Sequence, residues 1–170
     1  MSTQKYQGLY LGTVVNNIDP MQQGRINAIV PAVSSVVPST WASPCMPFTG
    51  VQMGAYMIPQ IGASVWIMYQ NGDSDYPVWM GGKWANTGEI PALALAGVPG
   101  DPNIVFQTTL QNALVISDLP GPTGGIMLKS TTGATIIVND TGIYIQNGKG
   151  ASIILAGPTV TINTGALVVT

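Results

Sequence analysis

Asp73 and Asp75 stand two residues apart, and a close pair of carboxylates is what acid–base hydrolysis of a glycosidic bond requires. Their setting, Asn71-Gly72-Asp73-Ser74-Asp75-Tyr76-Pro77, is a run of turn-formers, so a solvated turn is expected, with catalysis the alternative. The same run lacks the bidentate Glu of a calcium EF-hand. Trp41, Trp66, Trp79 and Trp84, with Tyr69 and Tyr76, could form a stacking platform for single-stranded nucleic acid or glycan. Core or subunit packing is the plainer expectation, because the five Lys+Arg are scattered singly and cannot track a phosphate backbone. Cys45 is the single cysteine and the chain has no histidine, so a thiol nucleophile would have no usual base. Between Pro44 and Met46 it is expected to be a small buried apolar residue. Asp19 and Arg25 flank a turn and are expected to pair with each other, a contact to another protein being secondary. No cofactor or metal is expected, since the commonest ligand, His, is missing and a subunit holds one Cys. The chemistry-bearing residues point to no enzyme.

Those residues sit in an unusual background. Charged residues make up 7% of the 170, against roughly 25% in an ordinary soluble domain. Apolar residues make up 46%, yet they are broken every few positions by Thr, Ser, Asn, Gln or Gly. No run approaches the roughly 18 apolar residues of a membrane helix. So little charge predicts extensive burial between subunits, where charge is depleted. The opening segment, MSTQKYQGLYLGTVV, lacks a long apolar stretch, which predicts cytoplasmic synthesis without a signal peptide.

The elements that must position these residues are strands. Residues 1–88 hold all four Trp, and Leu9–Val15, Arg25–Val30 and Ser64–Tyr69 read as β by their apolar and β-branched content. Asn17-Ile18-Asp19-Pro20, Asn71-Gly72-Asp73 and Gly81-Gly82 read as turns. Five or six short strands in this length suit a small barrel. Residues 89–102 read as a Pro/Gly/Ala linker, and residues 103–170 as a second β region opening with Ile104–Thr109 and Ala113–Ser117.

From Gly125 a repeat begins, with glycines at 125, 133, 142, 150, 157 and 165. Alternation between them sets an apolar face: Ile126, Leu128, Ile136, Ile143, Ile145, Ile153, Val160 and Val168 are expected inward. Lys129, Asn139, Gln146, Ser152, Thr159 and Thr161 alternate with them, while Ile137, Ile154, Leu167 and Val169 are apolar exceptions. A rung of about eight residues cannot wrap its own core, since solenoid repeats that do so run to roughly 20 residues or more. One chain could use three rungs per coil, or three chains could each supply one side of a triangular prism. The prism is favoured because it uses every rung and closes the sheet edges.

One ordered set of residues now resembles a known family. Gly12-Thr13-Val14-Val15, Asp19-Pro20, Gly24-Arg25-Ile26, Pro31, Trp41, Pro44, Gly54, Ile58-Pro59, Ile61-Gly62, Val65, Gly72-Asp73, Pro77-Val78 and Gly81 are similar to the oligonucleotide/oligosaccharide-binding (OB) barrel of phage baseplate spikes and type VI secretion valine-glycine repeat proteins. Gly142-Ile143-Tyr144-Ile145, Thr159-Val160-Thr161-Ile162-Asn163 and Gly165-Ala166-Leu167 resemble the triple-stranded β-helix of the same proteins. The resemblance implies an all-β homotrimer in the baseplate of a phage tail or phage-tail-like particle. Its barrels would dock on a hub protein while its β-helix pierces the target envelope. A separate tip protein of the conical PAAR type is expected against Leu167, Val169 and Thr170. Only a short connector stands where some members carry a lysozyme domain, and no histidine is present for an iron-binding tip. A glycan-binding or glycan-hydrolysing tail module and a nucleic-acid-binding barrel are the alternative readings.

Overall fold

A computed structural model describes residues 5–169, whose regular structure is β-strand apart from one helical turn, Pro31–Ser34, and four short 3-10 turns. They fall into two compact units, one ending at Thr87 and one beginning at Gly88.

The first unit is built from β1 (Tyr10–Asn16), β2 (Asn27–Ile29), β3 (Ser43–Pro44), the small hairpin β4 (Thr49–Gly50) and β5 (Met53–Gly54), β6 (Ser64–Tyr69) and β7 (Pro77–Lys83). Five of them form one sheet in the order β2-β1-β6-β7-β3, with β3 parallel to β7. The sheet closes on itself ahead of β3, where Ile26 bridges Ala42 and Ile29 bridges Pro38. Ile26 and Ala42 exchange both backbone hydrogen bonds, at 3.1 and 2.7 Å. The result is the five-stranded OB barrel, an all-β architecture that leaves few edges.

Period-two alternation explains the core. Along β6, Val65, Ile67 and Tyr69 are buried while Ser64, Trp66 and Met68 are not. They join Val14, Ile26, Ala28, Val30, Ala42 and Trp79 in a single cluster. The indole N–H of Trp79 donates to the Gly24 carbonyl at 3.1 Å, so its one polar group is satisfied in the interior. Gly81-Gly82, expected to turn, instead lies inside β7. The pairing with β6 slips there, from Val65↔Gly82 to Ile67↔Trp79, and Gly81 takes φ +110°. This is a β-bulge, which glycine accommodates without strain, so the dipeptide bends a strand without ending it.

The second unit holds β8 (Ile104–Gln107), β9 (Ala113–Ser117), β10 (Gly125–Lys129), β11 (Thr135–Asn139), β12 (Gly142–Gln146), β13 (Ser152–Ala156), β14 (Thr159–Ile162) and β15 (Leu167–Val169). Each strand pairs antiparallel with the next, giving one eight-stranded meander from β8 to β15. The sheet is therefore eight strands deep, where the glycine repeat alone suggested six. Residues 89–102 are ordered into turns of this unit: Val98 bridges Asp101, and the Asn103 amide donates to the Leu93 carbonyl at 2.8 Å. Glycine is required where the turns crowd the next strand. Gly125 has φ +86°, and a Cβ there would lie 2.1 Å from the Val138 carbonyl oxygen.

Candidate functional site

Directly paired residues of an antiparallel sheet share a face. One row runs Ile104, Ile116, Ile126, Val138, Ile143, Leu155, Val160, Val169 by register. The adjacent row on that face runs Phe106, Leu114, Leu128, Ile136, Ile145, Ile153, Ile162, Leu167. Two unbroken apolar columns thus cross all eight strands. In one chain they are largely uncovered: Ile126 and Leu128 are each 49% exposed and Ile145 and Ile153 each 39%, while Leu114, Leu155, Val160 and Ile162 are half-buried. A trough of about 930 Å³ runs beside the second column, lined by Leu114, Leu128, Ile136, Ile145, Ile153 and Ile162.

Ile126, Leu128, Ile136, Ile143, Ile145, Ile153 and Val160 all occupy this face. Val168 does not, by register: it pairs with Thr161, whereas Leu167 pairs with Ile162 and Val169 with Val160. After the turn Asn163–Gly165 the strand begins at Leu167, so the face positions are the second and fourth residues after Gly165 and Val168, the third, falls on the reverse face. Leu167, expected only as a tip contact, shares the apolar face and is 55% exposed. Thr170 lies outside the described residues, as do the side chains of Val168 and Val169.

The sequence reading missed Ile104, Phe106, Leu114, Ile116, Val138, Leu155 and Ile162. The signal was present: the face pair falls at the first and third positions after Gly125 and Gly142, but at the third and fifth after Gly133, Gly150 and Gly157. The cause is where each strand starts. Strands β10 and β12 start at a glycine, while β11, β13 and β14 start two residues beyond one. The turns at each side are also stitched together within the chain. On one side the Thr131 N–H donates to the Asn112 side-chain carbonyl at 3.0 Å and its hydroxyl to the Leu110 carbonyl. On the other, the Gly121 N–H donates to the Asp140 carboxylate at 3.0 Å.

The other sharp candidates resolve into structure. Asp19 and Arg25 form the expected ion pair, Nη2 to Oδ1 at 2.6 Å, with the Asp19 side chain only 3% exposed. Its carboxylate also accepts the backbone N–H groups of Met21, Gln23 and Arg25 at 3.0, 2.8 and 3.2 Å. The Arg25 hydrogen bonds, outweighing desolvation and reinforced by these N–H groups, hold its pKa well below the usual carboxylate range. The guanidinium carbon lies 5.4 Å from the centre of the Trp41 ring, so this aromatic is also spoken for. Asp73 Oδ1 accepts the Asp75 N–H at 3.0 Å in an exposed turn, an internal cap with no enclosing cleft. The aromatics do not converge. Trp79 is in the barrel core, Trp66 is half-buried, Trp84 and Tyr76 are each 60% exposed, and Tyr69 packs with Tyr6 and Tyr10. Cys45 is exposed, not buried. The segment alternates Ala42 and Met46 toward the core, which turns Cys45 outward. Among the described residues no group of three or more His, Cys, Asp or Glu could hold a metal ion.

An OB barrel followed by a meander that leaves two apolar columns largely uncovered defines a class: β proteins whose second unit is completed by a partner. Residues 10–84 match the type VI secretion system/phage-baseplate injector OB domain. Residues 103–168 match the phage baseplate V C-terminal trimerisation domain. The chain belongs to the baseplate-spike family shared by phage tails and type VI secretion systems, and is a structural component of such a baseplate. No curated protein sequence matches the chain closely enough to add a relative to these two families.

Proposed function

We propose that three copies of this chain form the central spike of a contractile tail or tail-like injection machine, a device that pierces the target envelope by force. The observation that carries the reading is the bare two-column face across β8–β15, in a region matching a trimerisation domain. Three such sheets facing inward make a triangular prism whose axis is filled by sixteen face positions per chain, two from each of eight strands. Each buried aliphatic side chain contributes on the order of 1.5–3 kcal/mol, so the trimer core rivals an ordinary domain core. Eight strands spaced about 4.8 Å apart give a prism of roughly 35 Å. Stacked hydrogen-bonded rungs around a dry core resist axial load, which a puncturing tool needs and a catalyst does not.

The barrels would dock on the baseplate hub, and the prism would point toward the target. Among the described residues β15 pairs only with β14, so one sheet edge is open beside the exposed Leu167. Open edges and apolar ends attract partners, which supports a separate small tip protein seated there. Native mass spectrometry of the purified chain tests the assembly, and a folded monomer at micromolar concentration sinks the reading. Particles assembled without the chain should attach to target cells yet fail to depolarise them. Undiminished depolarisation would remove the piercing role.

A further inference from the structure

Charge is so scarce in the second unit that the position of each charged group is informative. Strands β8, β10, β12 and β14 all run toward one side of the sheet, and β9, β11 and β13 toward the other. The first side carries the turns at residues 108–112, 130–134, 147–151 and 163–166. Its charged residues are Lys129, at the end of β10, and Lys149, in the turn after β12. The second side carries the turns at residues 118–124, 140–141 and 157–158. The charged residues of these turns are Asp118, after β9, and Asp140, after β11, and the unit's other two charges, Glu89 and Asp101, are also acidic and precede β8. One side of the sheet is wholly basic and the other wholly acidic. Asp118, Asp140 and Lys149 are exposed and Lys129 is half-exposed. None of the four forms an ion pair with a described residue of its own chain.

The levels match as well as the signs. Asp118 lies between β9 and β10, and Lys129 ends β10. Asp140 lies between β11 and β12, and Lys149 lies between β12 and β13. Each lysine is therefore within about one strand spacing, roughly 4.8 Å, of the height of an aspartate on the opposite side. In a threefold prism every corner joins the first side of one chain to the second side of the next, and closed symmetry holds the copies at one height, so strands lying across the axis bring facing turns level. We infer that Lys129 and Lys149 of each chain pair with Asp118 and Asp140 of its neighbour. These two pairs at each of three corners close the trimer in a single direction. The apolar columns drive association but carry no sense of order around the ring, whereas the charges do. A prism with one sheet reversed or slipped by a rung would set like charge against like, or leave charges unpaired.

This inference rests on the trimeric reading, and the test separates the two. The full-length chain is refolded from urea at low salt and weighed by native mass spectrometry. Asp118→Lys with Asp140→Lys makes both sides basic, and Lys129→Asp with Lys149→Asp makes both acidic. Each two-site variant should lose about tenfold or more in trimer yield, with partial recovery as salt rises. The four-site exchange, with all these substitutions together, inverts both sides, restores complementarity at every corner and should raise the yield severalfold above either two-site variant, short of wild type only by the lost Asp140–Gly121 hydrogen bond. Two-site variants that refold like wild type, or a four-site exchange no better than they are, would overturn the corner pairing while leaving the trimer standing. A wild-type chain that is not trimeric would overturn the trimer itself.

Discussion

At the scale of single residues, the same side chain type has opposite meanings on the two faces of the meander. Ile145 pairs with Ile136 and Ile153 in an apolar column, while its neighbour Gln146 pairs with Thr135 and Ser152 on the reverse face. Ile145→Asp brings a carboxylate into the proposed trimer axis without a partner, a burial that costs several kcal/mol per ion in effective terms. The expected outcome is loss of trimer or insoluble protein, with Gln146→Asp close to wild type in the same sedimentation experiment. Equal behaviour of the two would mean that the columns do not face the axis. Asp19 carries a pH signature of its own. A carboxyl whose folded pKa lies below its unfolded value stabilises fully above that unfolded value, about 3.9, and stops doing so as pH falls through the lower folded one. Asp19→Asn should therefore lower the urea midpoint of the barrel at pH 7, and the gap to wild type should close below about pH 4. A gap that stays constant down to pH 2 would show that the ion pair to Arg25 is not its source.

At the scale of elements, the glycines of the second unit set where the chain reverses. Gly125 sits at φ +86° with the Val138 carbonyl 2.1 Å from where a Cβ would be, whereas Gly157, at φ +54°, has open space around it. Both substitutions by alanine meet the left-handed penalty of about 1–2 kcal/mol. Only Gly125→Ala must also push β10 away from β11, which disturbs the ladder that carries Ile126↔Val138. Gly125→Ala should thus lower the urea midpoint of the assembled protein clearly further than Gly157→Ala. Equal shifts would mean that the crowding at Gly125 relaxes at no cost. The bulge at Gly81 has the same logic in the barrel, where a glycine pair keeps β7 continuous through a bend.

At the scale of the whole molecule, low charge makes the protein insensitive to pH near neutrality. It has no histidine, and both resolved shifts among its acids move away from that range. Asp19 is pushed down by its Arg25 hydrogen bonds, and burial foremost, then Tyr10 and Tyr6, push Tyr69 up. Secondary structure and oligomeric mass should hold constant between pH 5.5 and 8 by circular dichroism and native mass spectrometry. A cooperative transition inside that window would require another titrating group with a strongly shifted pKa.

Much of this was legible in the chain itself because strand periodicity is local. Ser64–Tyr69 and Ala113–Ser117 are strands at the bounds their alternation predicts, and the Asp19–Arg25 pair follows from a turn six residues wide. What the order of residues could not decide depends on which strands lie side by side. The joining of β8 and β9 to the glycine repeat, the outward Cys45 and the bulge at Gly81 each depend on neighbours distant in sequence. The exchange of faces between Val168 and Leu167 has a local cause, since one residue of slip in the turn at Asn163–Gly165 reverses every side chain after it. Alternation establishes that a strand has two faces. Only the register against the next strand decides which of them meets the apolar columns.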